Sequence, residues 1–161
     1  KMKLEIELIP APLQYKSLNK LTTIPIWKSI KEDIFQKEGK KCWICNSETQ
    51  LLQAHEFWEY DNKKHIQKLI AIHHLCLKCH MINHILFATE TKVGEKVLSD
   101  NNLTKEDLIK HFCIVNNCSK EDYEAHYKKQ VKIYIKRSNI ENWKQDLGEY
   151  RKYVEFQKKL F

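Results

Sequence analysis

The chain has 161 residues, a net charge of +7, 42% hydrophobic residues and 11% aromatic residues. That length supports one domain with its own core and excludes two ordinary domains, while the apolar content excludes a disordered chain. Three glycines and three prolines are too few for the many tight turns of a β-sandwich or barrel. The excess of lysine and arginine favours an anionic partner, with nucleic acid as the first choice.

No apolar run approaches the roughly 20 residues of a membrane span, and the charged stretch KMKLEIELIP lacks the apolar centre of a signal peptide. We therefore expect a cytoplasmic protein with no membrane partner. In that compartment the six cysteines are expected to be thiols or metal ligands rather than disulfides.

The first 41 residues predict a strand, a loop and a helix. The stretch MKLEIELIP alternates apolar and polar residues, which indicates a short strand that ends at Pro10. A helix is predicted from Pro25, which suits a first turn, to Gly39, which suits a helix end. Its apolar positions recur at helical spacing at Ile26, Ile30 and Ile34.

The rest of the chain predicts a small metal-bearing centre followed by helices. TQLLQAHEFWEY is strand-like, HIQKLIAIH fits either a helix or a strand, and CLKCHMINHILFATE turns helical. Two later helices are LTKEDLIKHFCIV, capped by Thr104, and SKEDYEAHYKKQVKIYIKRS. We therefore expect one mainly helical α+β domain over 1–161, with the centre at 42–90 between an N-terminal part, 1–41, and C-terminal helices, 91–161.

Two C-x-x-C pairs predict one structural zinc site, formed by Cys42 and Cys45 in CWIC and by Cys76 and Cys79 in CLKC. Two intervening residues let a tight turn direct both sulfurs at one ion, and two such turns close a tetrahedral Zn²⁺ site. The thirty residues between the pairs exceed the about 15–20 of a zinc ribbon, so a structured insertion is expected between them. The alternative is two buried thiol pairs without metal. The remaining cysteines, Cys113 and Cys118, are expected to be buried thiols.

If Cys76 and Cys79 bind zinc, the histidines of LCLKCHMINH remain for another role. His80 and His84 are four residues apart, so a helix places both imidazoles on one face. Paired metal ligands in H-E-x-x-H helices have this spacing, although ordinary helices have it too. The sequence therefore divides the cysteines and histidines of this stretch between two sites.

The order of CWIC, LLQAHEF and LCLKCHMINH resembles the zinc-containing branch of the HNH endonuclease family. That pattern is a C-x-x-C knuckle, a leucine shortly before a His-His or His-acid pair, and then L-C-x-x-C-H-x-x-x-H. HEFWEYD at 55–61 is similar to a stretch of small bacterial and phage HNH proteins, and the similarity extends from IELIP to WKQDL. The residues that fall on the pattern are Leu52, His55, Glu56, Leu75, Cys76, Cys79, His80 and His84.

The resemblance implies a ββα-metal core, in which a hairpin and the following helix bind one divalent ion. It implies that His55, His80 and His84 bind a catalytic ion, which is Zn²⁺, Ni²⁺, Mn²⁺ or Mg²⁺, and that Glu56 joins them in the catalytic set. The implied activity is metal-dependent hydrolysis of DNA phosphodiester bonds. The implied setting is a bacterial or phage-infected cell, in phage, mobile-element or defence biology.

Two positions depart from the family pattern. Glu56 replaces the histidine that acts as general base, and Ala71 replaces the asparagine that steadies that base. An unperturbed carboxylate is a weaker base than imidazole at neutral pH, and Glu56 has the alternative role of fixing the tautomer of a ligand imidazole. Other candidates for the base are His65, His73, His74 and Asp61.

A weaker prediction concerns contact with nucleic acid. A basic stripe on the last predicted helix either follows a phosphate backbone or forms a solvated helix face. Trp58 and Tyr60 either pack in the hairpin or stack on a base, whereas Trp27 and Trp143 are expected in the core. The alternative function is a zinc-stabilised HNH scaffold with weakened catalysis that binds DNA, RNA or a protein partner. The basic stripe comprises Lys128, Lys132, Lys136 and Arg137.

Overall fold

A β-hairpin lies at the centre of the α+β fold. In the computed structural model, which describes residues 1–160, β1 (Leu52–Asp61) pairs antiparallel with β2 (Ile66–Cys76). The short β3 (Lys144–Asp146) pairs in parallel with β2, so the order is β1-β2-β3 and β1 is an edge strand. The segment HIQKLIAIH, which fitted either a helix or a strand, is therefore part of a strand.

A β-bulge at Ile70 divides β2 into two parts. Phe57 lies opposite Ala71 and Trp58 lies opposite Leu69, so Ile70 is the extra residue, and its side chain is 47% exposed. Side chains alternate between the two faces of a strand. One extra residue therefore means that odd-numbered residues before the bulge and even-numbered residues after it lie on the same face of β2. The buried positions on one face are Gln67 and Leu69 before the bulge, and Ile72 and His74 after it.

Helices pack around the hairpin and form most of the fold. A 3₁₀ turn (Ala11–Leu13), α1 (Leu18–Leu21) and α2 (Ile24–Glu38) precede the sheet. Helix α3 (Leu77–Asn83) begins directly after β2, and a bend at His84 separates it from α4 (Ile85–Glu90). The later elements are α5 (Lys92–Asp100), α6 (Lys105–Asn116), α7 (Lys120–Ser138), a 3₁₀ turn (Gly148–Tyr150) and α8 (Arg151–Leu160).

The predicted helix boundaries are confirmed. Pro25 lies in the first turn of α2, and Gly39 ends that helix with a φ of 77°, which glycine adopts without steric cost. Thr104 caps α6, and Ser119 caps α7 in the same way. In both capping boxes the cap side chain accepts from the third helical residue, whose aspartate accepts from the cap backbone.

The strand predicted at the N-terminus is wrong, although its alternating burial is right. Residues 1–10 form neither a strand nor a helix, and several of their backbone groups bond to residues of helices. The Ile6 N–H donates to His126 Nε2 at 3.0 Å, and the Glu7 N–H donates to the Asn83 carbonyl at 3.1 Å. The segment therefore lies across α3 and α7, which brings Glu7 close to the hairpin.

Two hydrophobic clusters pack on opposite faces of the hairpin. The larger joins the N-terminal segment to α3, α4, α6 and α7, with Cys113 and Cys118 partly buried against it. The smaller joins α1 and α2 to β2, and Trp27 packs against it, whereas Trp143 is half-buried and donates to the Arg137 carbonyl. Within residues 1–160, none of the helices combines the length and the apolar character needed to cross a bilayer.

Candidate metal centres

Four cysteine sulfurs converge where β2 meets α3. Cys42 and Cys45 lie in the loop before β1, Cys76 ends β2, and Cys79 lies in the first turns of α3. The four Sγ atoms lie within 4.8 Å of one another, and those of Cys45 and Cys76 are 3.7 Å apart. Zn–S bonds of about 2.3 Å place neighbouring sulfurs of a tetrahedral site about 3.8 Å apart. The four side chains therefore fit a structural zinc ion, as their spacing predicts.

Local backbone geometry directs these sulfurs inward. The Cys42 N–H donates to the Ser47 carbonyl and the Asn46 N–H donates to the Cys42 carbonyl, both at 2.9 Å, which closes the first loop. Asn46 has a φ of 61°, a left-handed conformation that asparagine tolerates better than most residues. At the second pair, the Cys76 sulfur accepts from the Cys79 N–H at the start of α3.

The cysteine cluster favours one thiolate even without metal. Hydrogen bonds from the Cys76 and Cys79 thiols hold the pKa of Cys42 far below its ordinary value. The bond to Cys42 raises the pKa of Cys76 to about 11 and raises the pKa of Cys79 further. His111 Nε2, on α6, lies 3.2 Å from the Cys79 sulfur, where an N–H would stabilise a thiolate. No sequence motif links His111 to the cysteines, so its contact was not predicted.

Three imidazoles form a second cluster beside the first. His55 lies on β1, His80 on α3, and His84 at the C-terminal end of α3. Ring centroids are 5.3 Å apart for His55 and His80, 5.0 Å for His55 and His84, and 4.9 Å for His80 and His84. One nitrogen of each lies within 4.8 Å of the others, which suits three ligands of one ion. The stretch LCLKCHMINH thus contributes two side chains to each cluster.

Burial keeps these three imidazoles neutral. Desolvation, with a smaller contribution from neighbouring histidines, lowers the pKa of His55 to about 4, that of His80 to about 2 and that of His84 to about 3. A metal ion needs the neutral form of imidazole. The cluster therefore presents unprotonated nitrogen ligands throughout the neutral pH range.

Two oxygen acceptors fix the orientation of the imidazoles, and the sequence predicted neither. Gln53 Oε1 lies 2.5 Å from His80 Nδ1, and Glu7 Oε2 lies 3.4 Å from His55 Nε2. An N–H donated to each oxygen leaves the other ring nitrogen free to bind an ion. Within residues 1–160, the group of ligand atoms that lie within 4.8 Å of one another contains the three imidazoles and not Glu7. This carboxylate therefore orients His55 rather than adding a fourth ligand. Burial raises its pKa to about 7.

Glu56 points to the opposite face of β1 from His55. Successive residues of a strand alternate between faces, and Glu56 Oε1 accepts from the Leu18 N–H at 2.7 Å, at the start of α1. Burial raises the pKa of Glu56 to about 7 against the opposing effect of its backbone hydrogen bonds. The carboxylate therefore orients α1 rather than a ligand imidazole. Ala71 pairs with Phe57 and offers no polar side chain that could steady a base.

A cavity of about 620 Å³ extends along the edge of β1 and reaches the imidazole cluster. His55, His80 and His84 line it, and Glu56 lines it too, because an edge strand exposes side chains of both faces to one cavity. None of the four cysteines is among the described residues that line it. Further lining side chains include Leu13, Lys16, Trp58, Phe87 and Tyr134.

The other candidates for a general base lie away from this cavity. His73 Nδ1 is 2.6 Å from Glu38 Oε1. His74 is buried, and within residues 1–160 neither of its ring nitrogens has a hydrogen-bond partner. His65 bonds Asn142 near the hairpin turn, and Asp61 accepts from the backbone of that turn. In the described part of the chain, none of these four candidates lines the cavity.

The exposed lysines of the basic stripe on α7 point away from the cavity. Tyr134 lines the cavity from this helix, and at about 100° per residue Lys132 points about 160° away from Tyr134. Arg137 packs over the Tyr60 ring, with its guanidinium carbon 4.1 Å from the ring centroid. Contact of the stripe with nucleic acid stays a prediction. The exposed members of the stripe are Lys128, Lys132 and Lys136.

Comparison of this chain with protein-family models, with curated proteins and with solved structures finds no match. The geometry of the two clusters is therefore the basis for a functional proposal.

Proposed function

We propose that this protein is a metal-dependent HNH-type endonuclease that hydrolyses DNA phosphodiester bonds. One observation carries the proposal: three neutral imidazoles, one buried and two partly buried, from a hairpin and the helix that follows it converge beside an open cavity. The neighbouring cysteine cluster and the order of both motifs in the sequence support it. A setting in phage, mobile-element or defence biology belongs to the same proposal.

His55, His80 and His84 would bind the catalytic ion. Three protein ligands leave a coordination position for substrate, and imidazole suits Zn²⁺, Ni²⁺ or Mn²⁺, with Mg²⁺ used by some HNH proteins. A bound divalent ion would polarise the scissile phosphate and stabilise the leaving 3′ oxygen. The cavity gives a phosphate access to that position.

Glu56 is the general base of the proposal. A pKa of about 7 lies close to a neutral working pH, which removes the objection that a carboxylate is too weakly basic. The bond from Leu18 orients the carboxylate, whose remaining lone pairs can accept a proton from water in the cavity. The step would transfer that proton to Glu56 as water attacks phosphorus.

The test combines a metal count with nicking of supercoiled plasmid in Mg²⁺, Mn²⁺, Ni²⁺ and Zn²⁺. We expect wild-type protein to nick the plasmid, and His80→Ala to abolish nicking while keeping the zinc bound by the cysteines. His65→Ala, which removes an imidazole near the hairpin turn, is the matched control and should cut normally. Wild-type protein that has metal at both sites and does not cut DNA under any of these metal conditions would overturn the proposal.

A catalytically weakened scaffold is the second candidate. Ala71 supplies no group to steady a base, and Glu56 is bonded to α1. Such a protein would keep both metal centres and bind nucleic acid or a protein partner without cleavage. Tight binding under every metal condition of the nicking test, with no cut product, would favour it.

A further inference from the structure

Trp43 lies exposed in the loop between the first two cysteines. Its side chain is 51% exposed, although the flanking Cys42 and Ile44 are buried. The indole stacks on the His73 imidazole, with ring centroids 3.8 Å apart and planes 5° from parallel. One face of the indole is therefore covered, and its other face is available to a planar ligand.

The neighbours of Trp43 hold it in this position. The backbone N–H of Trp43 donates to the His74 carbonyl at 2.9 Å. The His73 side chain, on which the indole stacks, is itself hydrogen-bonded to Glu38. The adjacent Cys42 is part of the cysteine cluster. An indole fixed in advance loses little conformational entropy when a ligand stacks on it.

Trp43 is connected to the imidazole cluster along one face of the hairpin. His73 is the direct cross-strand partner of His55, and directly opposite residues of an antiparallel pair share a face. Phe57 contacts both, with its ring centroid 4.8 Å from that of His55 and 5.3 Å from that of His73. A row of rings therefore runs from the candidate metal centre to the exposed indole.

Positive charge precedes Trp43 in the chain. Lys37, Lys40 and Lys41 are exposed, and the ion pairs formed within residues 1–160 use none of them. Glu38, which lies among them, is bonded to His73. Exposed lysines beside an aromatic ring are the combination that binds phosphates and unpaired bases together.

We propose that Trp43 stacks on an unpaired base of a single-stranded nucleic acid whose phosphates contact Lys37, Lys40 and Lys41. An aromatic ring can stack on any base, but in a duplex both faces of each base are already occupied by its neighbours. Binding at Trp43 does not require cleavage. Contact of the same bound strand with the three imidazoles is a further step, and this step rests on the proposed function.

The test measures binding of labelled oligothymidine and oligouridine, each of about 12 nucleotides, by fluorescence anisotropy. Zinc-loaded His80→Ala protein serves as the parent, so that cleavage cannot consume the probe. We expect Trp43→Ala to weaken binding roughly ten-fold or more, and Trp43→Phe to weaken it less. The two probes distinguish DNA from RNA as the source of the base.

Charge-matched variants test the lysines. Replacement of Lys37, Lys40 and Lys41 by alanine should reduce the slope of log affinity against log salt by about 2. The same change at Lys128, Lys132 and Lys136 removes equal charge from α7 and should weaken binding less. Equal losses for the two triple variants would overturn the proposed phosphate contacts. Zinc content and thermal melting check the fold of each variant, and Trp43→Leu keeps apolar area without an aromatic face.

Binding that is equal in the parent, Trp43→Ala and Trp43→Leu would overturn the proposal, as would equal dependence on Trp43 for a blunt duplex. A protein partner would then be the explanation for the exposed indole. Trp43-dependent binding by a wild-type protein that cleaves nothing would overturn the proposed function alone. Cleavage with binding independent of Trp43 would overturn only this inference.

Discussion

The two candidate metal centres share α3 but differ in what surrounds their ligands. The cysteine cluster has four sulfurs, closed loop hydrogen bonds and a contact from His111, and its members do not line the cavity. The imidazole cluster has three neutral histidine side chains and opens into the cavity of about 620 Å³. Four thiolates fill all four coordination positions of a tetrahedral zinc ion, whereas three imidazoles leave one coordination position open. The comparison indicates that the cysteine cluster suits an ion enclosed within the fold, whereas the imidazole cluster suits an ion that a ligand in the cavity can reach.

The largest expected effect is on folding, at the cysteine cluster. Cys45→Ser or Cys76→Ser should remove a zinc-binding energy of roughly 10 kcal/mol or more and unfold the centre of the protein. Circular dichroism, thermal melting and zinc content measure the loss. Cys113→Ser is the matched control, since this thiol lies outside the cluster. A folded, zinc-free Cys45→Ser protein would contradict the structural role, whereas His80→Ala should stay folded.

The next effect is on cleavage and leaves both metal centres intact. Glu56→Gln should lower the cleavage rate by about 10²-fold or more while metal affinity stays the same, because Glu56 bonds α1 rather than an imidazole. In wild-type protein the rate should rise with pH through about 7 as Glu56 loses its proton. Glu56→His should keep or raise activity at neutral pH. Weaker metal binding by Glu56→Gln, with its rate restored by added metal, would instead assign Glu56 to orienting a ligand.

A smaller effect is expected from the carboxylate behind His55. Glu7→Ala should weaken metal binding at the three imidazoles by about 10–100-fold, since His55 loses the acceptor that fixes its ring. Isothermal titration calorimetry on protein with zinc already bound to its cysteines measures this affinity. Glu5→Ala removes a carboxyl group from the same segment and should leave this affinity unchanged. Equal affinities for Glu7→Ala and wild type would exclude the orienting role.

The smallest expected effect is that of acid on the imidazole centre. Protons compete with metal only near or below the ligand pKa values, which are about 4, 2 and 3 for His55, His80 and His84. In Glu7→Ala protein, where the carboxyl partner of His55 with its pKa of about 7 is absent, metal affinity at this centre should therefore change little between pH 7 and pH 5. If each ligand had an ordinary pKa of about 6.5, its neutral fraction would instead fall about 25-fold over that range. Competition with a chromophoric chelator distinguishes the two outcomes.

The sequence predicted the cysteine ligands because a repeated C-x-x-C spacing leaves little choice. It predicted the boundaries of α2 and α6 because proline, glycine and threonine act locally at helix ends. His55 was assigned through a family resemblance, and the structure places it with His80 and His84. Gln53 was open to prediction, since it lies two residues from His55 on the same face of one strand.

Other features depend on contacts between distant parts of the chain. Glu7 reaches His55 because backbone N–H groups of residues 1–10 donate to a side chain and a carbonyl of distant helices. The alternation of apolar and polar residues predicted a strand there, but the segment joins no sheet. The bulge at Ile70 changes the face on which later residues of β2 lie, and no glycine or proline marks it. The raised pKa of Glu56 follows from its burial near α1, which motif spacing does not specify.

The position of the shared helix in the sequence also sets the order in which the ligands of the two candidate centres are synthesised. Cys42, Cys45 and His55 leave the ribosome first, and the remaining four ligands follow within the nine residues from Cys76 to His84. A nascent chain shorter than this has two ligands of one centre and one of the other, too few to complete either. Both sets of candidate ligands are therefore complete within one short interval of translation, because the last cysteine of the first set lies only five residues before the last histidine of the second.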